Sequence, residues 1–424
     1  MLLHPPAQSG IDELTSEKIR DFVLQDFQSR KEQEIVPAFG PDRFWQGLRD
    51  LGTELWLDTG DVDAACDLWC EQFSALTTNN TLLNREVQKG IYDNLIKQAD
   101  TLLKGLSAEE RIVEIAFILN TRHALRLVRQ FNAKVSVELH TDLANDIERT
   151  ISYARRIYAI HPENFIIKVP FTPEGLIATR TLRELGIPIN MTLGFSVRHN
   201  VLAAAAARPD YVNVFLGRIN SYISQNKLGT GKMVGEKTTL ASMRAVKAMS
   251  KSNPFPTRQI AASMRDTQQV KNLAGVDVMT MPVKVAAGAK KQLKRSWTSR
   301  VDDDYDIALD PGQDPHEVRI HTCWELSDNV NALADELHRS IPENSAELIQ
   351  KFREYGIYDI FPATTDKELA NIRKNGKIPD HAVWKASIRE KQMAVDSLLN
   401  IAGIESFSLD QEKLDKRIAN IIGV

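Results

Sequence analysis

Short apolar runs recur along the chain, separated by longer segments in which apolar residues return every three or four positions. The runs read as strands and the spacers as amphipathic helices. In order the strand candidates are Glu54–Gly60, Ser74–Asn80, Lys134–Leu139, Asn164–Pro170, Ile187–Leu193, Tyr211–Arg218, Gln259–Arg265 and Asp277–Val283. The fourth, Asn164-Phe165-Ile166-Ile167-Lys168-Val169-Pro170, is continuous in apolar residues apart from one lysine. Such continuity marks a parallel strand buried on both faces. Thr172 then suits an N-cap, Pro173 the first helical position, and Gly186 with Pro188 the helix stop. Helix-length connections follow most of the other strands. Between Val62 and Phe73 one helix carries Cys66 and Cys70 on one face, residues 81–131 are a long helical connection, and 219–235 read as a loop.

Alternating strands and helices predict an α/β fold, either a doubly wound sheet or a (β/α)8 TIM barrel. Eight candidates, with no GxGxxG turn after the first and no P-loop, favour the barrel. The expected organisation is an N-terminal helical segment over 1–53, the catalytic barrel over 54–285, and a mostly helical C-terminal extension over 286–424, packed on or beside the barrel. In the first segment Thr15 or Ser16 can cap a helix along which Ile19, Phe22, Val23 and Phe27 are spaced. In the last, helices are expected over SAELIQKFREYG, stopped by Gly356, over AVWKASIREKQMAVDSLL and over DQEKLDKRIANII.

Strand side chains alternate, so residues two apart share a face. Trp56 and Asp58, Thr77 and Asn79, Ser136 and Glu138, Ile166 and Lys168, Asn190 and Thr192, Asn213 and Phe215, Ser263 and Arg265 pair in this way. The polar member usually lies at the C-terminal strand end, the rim where barrel enzymes carry their chemistry. A single polar strand end often only satisfies loop backbone. A matching register of acids, amides, a lysine and an arginine is harder to assign to capping.

Composition narrows the function without choosing it. The 424 residues hold 53 Lys+Arg against 56 Asp+Glu, which leaves no global field for nucleic acid or anionic lipid. Hydrophobic residues are 43%, ordinary for a globular chain. No apolar run reaches membrane-spanning length, and MLLHPPAQSGIDELT lacks a basic start followed by an apolar stretch. Three cysteines, Cys66, Cys70 and Cys323, fit a reducing compartment. The chain therefore reads as soluble and cytoplasmic, with no membrane or nucleic-acid partner. A homo-oligomer stays open.

A buried lysine amid carboxylates suits imine chemistry, because its neutral amine can attack a ketone and the resulting Schiff base is an electron sink for carbon–carbon cleavage. Glu138 is assigned acid/base work through a water held by Thr192, and Asp58 the deprotonation of the substrate hydroxyl. Asn79 and Asn190 suit substrate hydroxyls, and Arg218 and Arg265 an anionic tail such as phosphate.

The motifs LWLDTGD, SALTTNNTLL, KVSVELH, NFIIKVPFTPEGL, INMTLGFS, VFLGRI and AASMRD resemble, in this order, the strand motifs of the transaldolase family. The resemblance covers residues 55 to about 285. It implies a (β/α)8 barrel with the imine lysine on the fourth strand. It also implies transfer of a dihydroxyacetone unit from a ketose phosphate to an aldose phosphate, a pentose-phosphate-pathway reaction that uses no metal or organic cofactor. By resemblance the functional positions are Asp58, Asn79, Glu138, Lys168, Asn190, Thr192, Arg218, Ser263 and Arg265. The chain departs from the family at Asn213, where serine is usual, and it carries Phe215 where the related fructose-6-phosphate aldolases have tyrosine. Phenylalanine cannot hydrogen-bond a catalytic water, so transfer is favoured over release of dihydroxyacetone.

Other features carry less. The run Asp302–Asp306 imitates a calcium loop, but its sixth position is Ile307 and its twelfth Gln313. His140, His199 and the other histidines lack ligand spacing, so no metal is expected. Trp69, Trp324 and Trp384 fall in helical patterns as packing residues. Besides a transaldolase of sugar phosphates, a relative acting on a sulfonated or otherwise modified sugar, a dihydroxyacetone-releasing aldolase, and a catalytically silent barrel with an assembly role remain as alternatives.

Overall fold

A computed structural model describes residues 11–29 and 39–424. The expectations for the chain's first ten residues and for 30–38 lie outside the described residues. Eight parallel strands close into a barrel in sequence order: β1 (Glu54–Asp58), β2 (Phe73–Thr77), β3 (Lys134–Glu138), β4 (Phe165–Pro170), β5 (Ile189–Thr192), β6 (Tyr211–Phe215), β7 (Arg258–Ala262) and β8 (Val278–Pro282). β1 pairs with β8 to complete the ring. This is the expected (β/α)8 TIM barrel, with further helices at both ends of the chain.

The strands run continuously apolar because helices cover their outer face while side chains fill the inside. At the N-terminal end of the barrel Trp56 and Tyr211 meet with ring centroids 4.9 Å apart. The Trp56 indole N–H donates to Glu54 at 2.8 Å, and Glu54 also pairs with Arg258. These contacts lie at the end of the barrel opposite the polar strand ends.

Register sets the chemistry. Glu138 pairs with Lys168, Lys168 with Asn190, and Pro170 with Thr192, so three adjacent strands bring their polar residues to the same level. Asp58 pairs with Thr77 on the opposite flank. Thr172 caps the helix Pro173–Glu184, its hydroxyl accepting from the Gly175 N–H at 2.9 Å, and Gly186 stops it at φ 77°.

Several expected boundaries move. The helix after β1 ends at Cys66, so Cys66 and Cys70 do not share a helical face and Trp69 packs from a loop. Asp61 caps that helix and five residues suffice before the chain turns toward β2. β6 stops at Phe215, and Leu216–Gln225 is a helix rather than strand and loop, which places Arg218 in a first helical turn. β7 stops at Ala262, and Ser263 adopts a left-handed φ of 57° that a strand cannot contain. The N-terminal helix Glu13–Ser29 starts before Thr15, with the Asp12 carboxylate accepting from the Thr15 N–H at 2.6 Å.

The C-terminal extension also differs in detail. The segment expected as one helix over 382–399 breaks into His381–Arg389 and the start of Val395–Ile422, with Lys391 left-handed at φ 60° between them. Val395–Ile422 is 28 residues long and contains the segment read as a separate terminal helix. It packs on the helices Asn80–Gln88, Asp93–Leu102 and Ala108–Phe131 and reaches the barrel mouth. The alanine-rich helix Val197–Ala206 is buried on every side, because Asp328–Arg339 of the extension and Val234–Met249 of the barrel both pack against it. Small side chains allow that double approach.

Candidate active site

The C-terminal ends of the strands surround a cavity of about 350 Å³, within the usual size of ligand sites, about 300–1,000 Å³. Asp58, Asn79, Lys168, Asn190, Asn213, Phe215, Arg218, Ser263 and Arg265 all line it. A larger cleft of about 760 Å³ lies among residues 316–330, 356–359 and 389–391. It contains none of the strand-end residues, so the smaller cavity is the candidate active site.

Lys168 is only 4% exposed, yet its amine faces the cavity. Nζ donates to the Thr78 carbonyl at 3.1 Å and stands 3.4 Å from Glu138 Oε1. Glu138 does not line this cavity; it backs the lysine from β3, and its carboxylate accepts from the Asn80 N–H at 3.1 Å. Burial pushes the Glu138 carboxyl above the usual carboxylate range, while the nearby Lys168 pulls the other way. Asp58 shows the same balance: burial raises its pKa, opposed by Lys168 and by the Thr77 hydroxyl that donates to it at 2.8 Å. Two reluctant carboxylates therefore flank one amine.

Thr192 is fully buried and is not part of the cavity wall. Its Oγ1 has no hydrogen-bond partner among the described residues. Buried polar groups ordinarily have a hydrogen-bond partner, so this hydroxyl stands ready for one that the described residues do not supply.

The amides form a chain. Asn213 Nδ2 donates to Asn190 Oδ1 at 3.1 Å and to the Met191 carbonyl at 3.0 Å, and Asn190 Nδ2 donates to Ser136 Oγ at 3.0 Å. Asn213 Oδ1 is left buried without a hydrogen-bond partner among the described residues. Asn79 serves the backbone and also borders the cavity. Its Oδ1 caps Asn80–Gln88 by accepting from the Leu82 N–H at 2.9 Å, and the side chain still borders the cavity.

At the far wall Arg218 is 4% exposed, and Nη1 has no partner among the described residues. Burial, aided by Arg265, pushes its pKa down to about 10. The guanidinium lies over Phe215 at 5.3 Å and over Phe407 at 5.4 Å. Arg265 donates to Ser221 Oγ at 2.6 Å. Gly217 is required here, because a Cβ would come 2.1 Å from the Ser263 carbonyl.

Arg85, Lys377 and Phe407 also line the cavity and are among the lining residues that escape a strand-end reading. Arg85 sits one helical turn and a half past Asn79, where only the helix orientation reveals it. Lys377 and Phe407 come from the extension, far along the chain from the last barrel strand, which ends at Pro282. Burial and then the neighbouring Arg218 lower the Lys377 pKa, with Asp410 the opposing charge. Phe407 lies 5.7 Å from the Lys168 ammonium and roofs it. Gly403, one turn earlier, lets that helix close in: a Cβ there would stand 2.7 Å from Leu193 and 3.2 Å from Arg218 Nη1.

Comparison with known proteins gives this barrel relatives. Residues 55–340 match the family model described as transaldolase/fructose-6-phosphate aldolase. A transaldolase of Xanthomonas oryzae pv. oryzae is 32% identical over 244 residues, covering 55% of this chain and 74% of its own length. A probable transaldolase of Dictyostelium discoideum is 25% identical over 292 residues, 66% of this chain and 88% of its own. A transaldolase of Prochlorococcus marinus is 30% identical over 239 residues, 54% of this chain and 70% of its own. No helix among the described residues is long and apolar enough to cross a membrane. The chain thus belongs to the transaldolase/fructose-6-phosphate aldolase family and is an enzyme that transfers aldehyde or ketone residues.

Proposed function

We propose that this enzyme moves a dihydroxyacetone unit from a ketose phosphate to an aldose phosphate through a Schiff base on Lys168. The observation that carries the proposal is the amine of a 4%-exposed lysine, opening into a polar cavity and 3.4 Å from a buried carboxylate. The neutral amine adds to the ketose carbonyl, and loss of water gives an iminium ion. Asp58 takes the proton of the hydroxyl on the far carbon of the bond to be broken, so that this carbon becomes the aldehyde of the leaving aldose. The carbon–carbon bond then cleaves, the aldose leaves, and its electron pair is held as the enamine. Attack of the enamine on an acceptor aldehyde, followed by hydrolysis, returns the amine.

Glu138 exchanges protons with the carbinolamine through a water seated on Thr192 Oγ1. Its raised pKa suits that work, because a carboxyl displaced upward by burial gives and takes protons nearer neutral pH. Asn79 and Asn190 hold substrate hydroxyls, and the unpartnered Oδ1 of Asn213 accepts from another.

Arg218, Arg265 and Ser263 hold the anionic tail, with the helix N-terminus at Leu216 adding its N–H groups. Arg85 and Lys377 complete a wall of four cations. Such a concentration of positive charge, including a buried guanidinium whose Nη1 has no hydrogen-bond partner among the described residues, suits a dianion. Phe215 offers no hydroxyl to activate water, which favours transfer over release of dihydroxyacetone. The cysteine usage and charge balance fit a cytoplasmic setting.

A donor panel tests this reading. Ketoses carrying phosphate, sulfonate or no charge, assayed with and without an aldose phosphate acceptor, should rank phosphate first and require the acceptor for turnover. A sulfonate donor outperforming the phosphate would move the assignment to the sulfonated-sugar alternative. Acceptor-independent turnover at equal rate would make the enzyme an aldolase.

A further inference from the structure

The larger cleft, about 760 Å³, carries a different set of groups. On its wall the ligand atoms of His316, His321 and Glu325 all lie within 4.8 Å of one another. The two imidazoles face each other with ring centroids 4.2 Å apart. Sequence spacing hid this arrangement. The turn through Arg319, left-handed at φ 54°, and the single 3-10 turn Ile320–Cys323 fold the two histidines together and bring Glu325 beside them.

The tautomer of His321 is fixed. Nδ1 lies 3.0 Å from the Pro315 carbonyl, and a carbonyl can only accept, so Nδ1 carries the proton. The lone pair is therefore on Nε2, as in metal-binding histidines oriented by a backbone carbonyl. The His316 ring, His321 Nε2 and the Glu325 carboxylate have no hydrogen-bond partner among the described residues. Arg319 is occupied by Asp359 at 2.5 Å, whereas Arg389 and Lys391 line the same cleft with no ion-pair partner among the described residues.

We infer that His316, His321 and Glu325 form a binding site for a divalent transition metal of the zinc class, with its remaining coordination position open to a small anion drawn by Arg389 and Lys391. Two imidazoles and a carboxylate are a donor set that zinc accepts, and three protein ligands leave one tetrahedral position for an outside ligand. Side chains on an open cleft wall can close the remaining gap by rotamer change. The site is separate from the lysine cavity and does not depend on its chemistry.

The test uses the full chain, stripped with a chelator and titrated with zinc against a chromophoric competitor. One equivalent should bind, at least tenfold more weakly in His321→Gln and in Glu325→Gln, and unchanged in the double variant Cys66→Ser/Cys70→Ser. Inorganic phosphate should tighten zinc binding several-fold in the wild type but not in Arg389→Gln/Lys391→Gln. Circular dichroism of each variant checks that the fold is kept. Absence of stoichiometric binding, equal binding in the histidine and glutamate variants, or loss with the cysteines instead would overturn the site. Zinc binding indifferent to phosphate in the wild type would overturn its anion position.

Discussion

Lys168 sits between two carboxyl groups that burial holds above their usual range, Asp58 and Glu138. The consequence is a signed prediction. As pH falls, Glu138 takes up its proton above the ordinary carboxylate pKa of about 4 and can no longer accept one from the reacting centre. The acid limb of the kcat profile should therefore lie above pH 4, and a limb at or below it would contradict the assignment. Glu138→Gln should lower kcat by about 10²- to 10⁴-fold, measured by coupled assay, with the fold retained. Lys377→Met should raise KM about tenfold for a phosphorylated donor, the effect of one lost charge-assisted contact of about 1.4 kcal/mol, and leave an uncharged donor unaffected. Among these residues, Lys168, Asp58 and Glu138 were legible in the sequence because they end apolar runs in a fixed register. Lys377 was not, since no local pattern tells a turn lysine at position 377 that it will stand beside Arg218. Asn79 was legible only in part, because the residue that caps a helix and the residue that borders a cavity look the same in sequence.

The long helix Val395–Ile422 makes the active site more than a barrel mouth. It brings Phe407 over Lys168 and, through Gly403, presses against Leu193 and Arg218. Gly403→Val should push the helix off by the missing space. Overpacking of this kind costs about 1–3 kcal/mol, read as a lower urea midpoint, and KM for the anionic donor should rise with it. Unchanged KM would mean that the helix does not set the position of Arg218. Strand existence was legible at this scale and boundaries were not. β6 and β7 end where the backbone turns, at Phe215 and at the left-handed Ser263, and periodicity cannot report a change in φ. The break at 390–394 was hidden for a related reason: Met393 and Ala394 continue an apolar pattern although the chain there leaves the helix.

Across the whole molecule, one buried ionic network ties the barrel to its extension. Arg198, on the helix Val197–Ala206, donates to both oxygens of Asp396 at 2.7 and 2.8 Å and to Asp359 at 2.9 Å. Asp359 in turn holds Arg319, and His199 stands 3.5 Å from Asp396. Burial alone would raise the Asp396 pKa, but Arg198 and His199 hold it well below the usual range. A depressed carboxylate contributes stability above its unfolded pKa, near 4, which is lost as pH falls toward the folded value. Asp396→Asn leaves Arg198 buried without its main partner and should cost about 3–5 kcal/mol. Urea unfolding from pH 3 to 7 should show that loss at neutral pH and a flatter acid slope in the variant. Equal stability of the two proteins at pH 7 would mean that the network does not join the two parts. The barrel itself was legible from its eight runs, whereas this junction was not. It depends on residues nearly two hundred positions apart, each of which reads alone as an ordinary surface charge.

The most direct measurement is borohydride reduction in the presence of a ketose phosphate, followed by peptide mass mapping of the full chain. The account predicts one reduced adduct per chain, on the peptide containing Lys168, and none in Lys168→Met. An adduct on another lysine, or no adduct under turnover conditions, would contradict it.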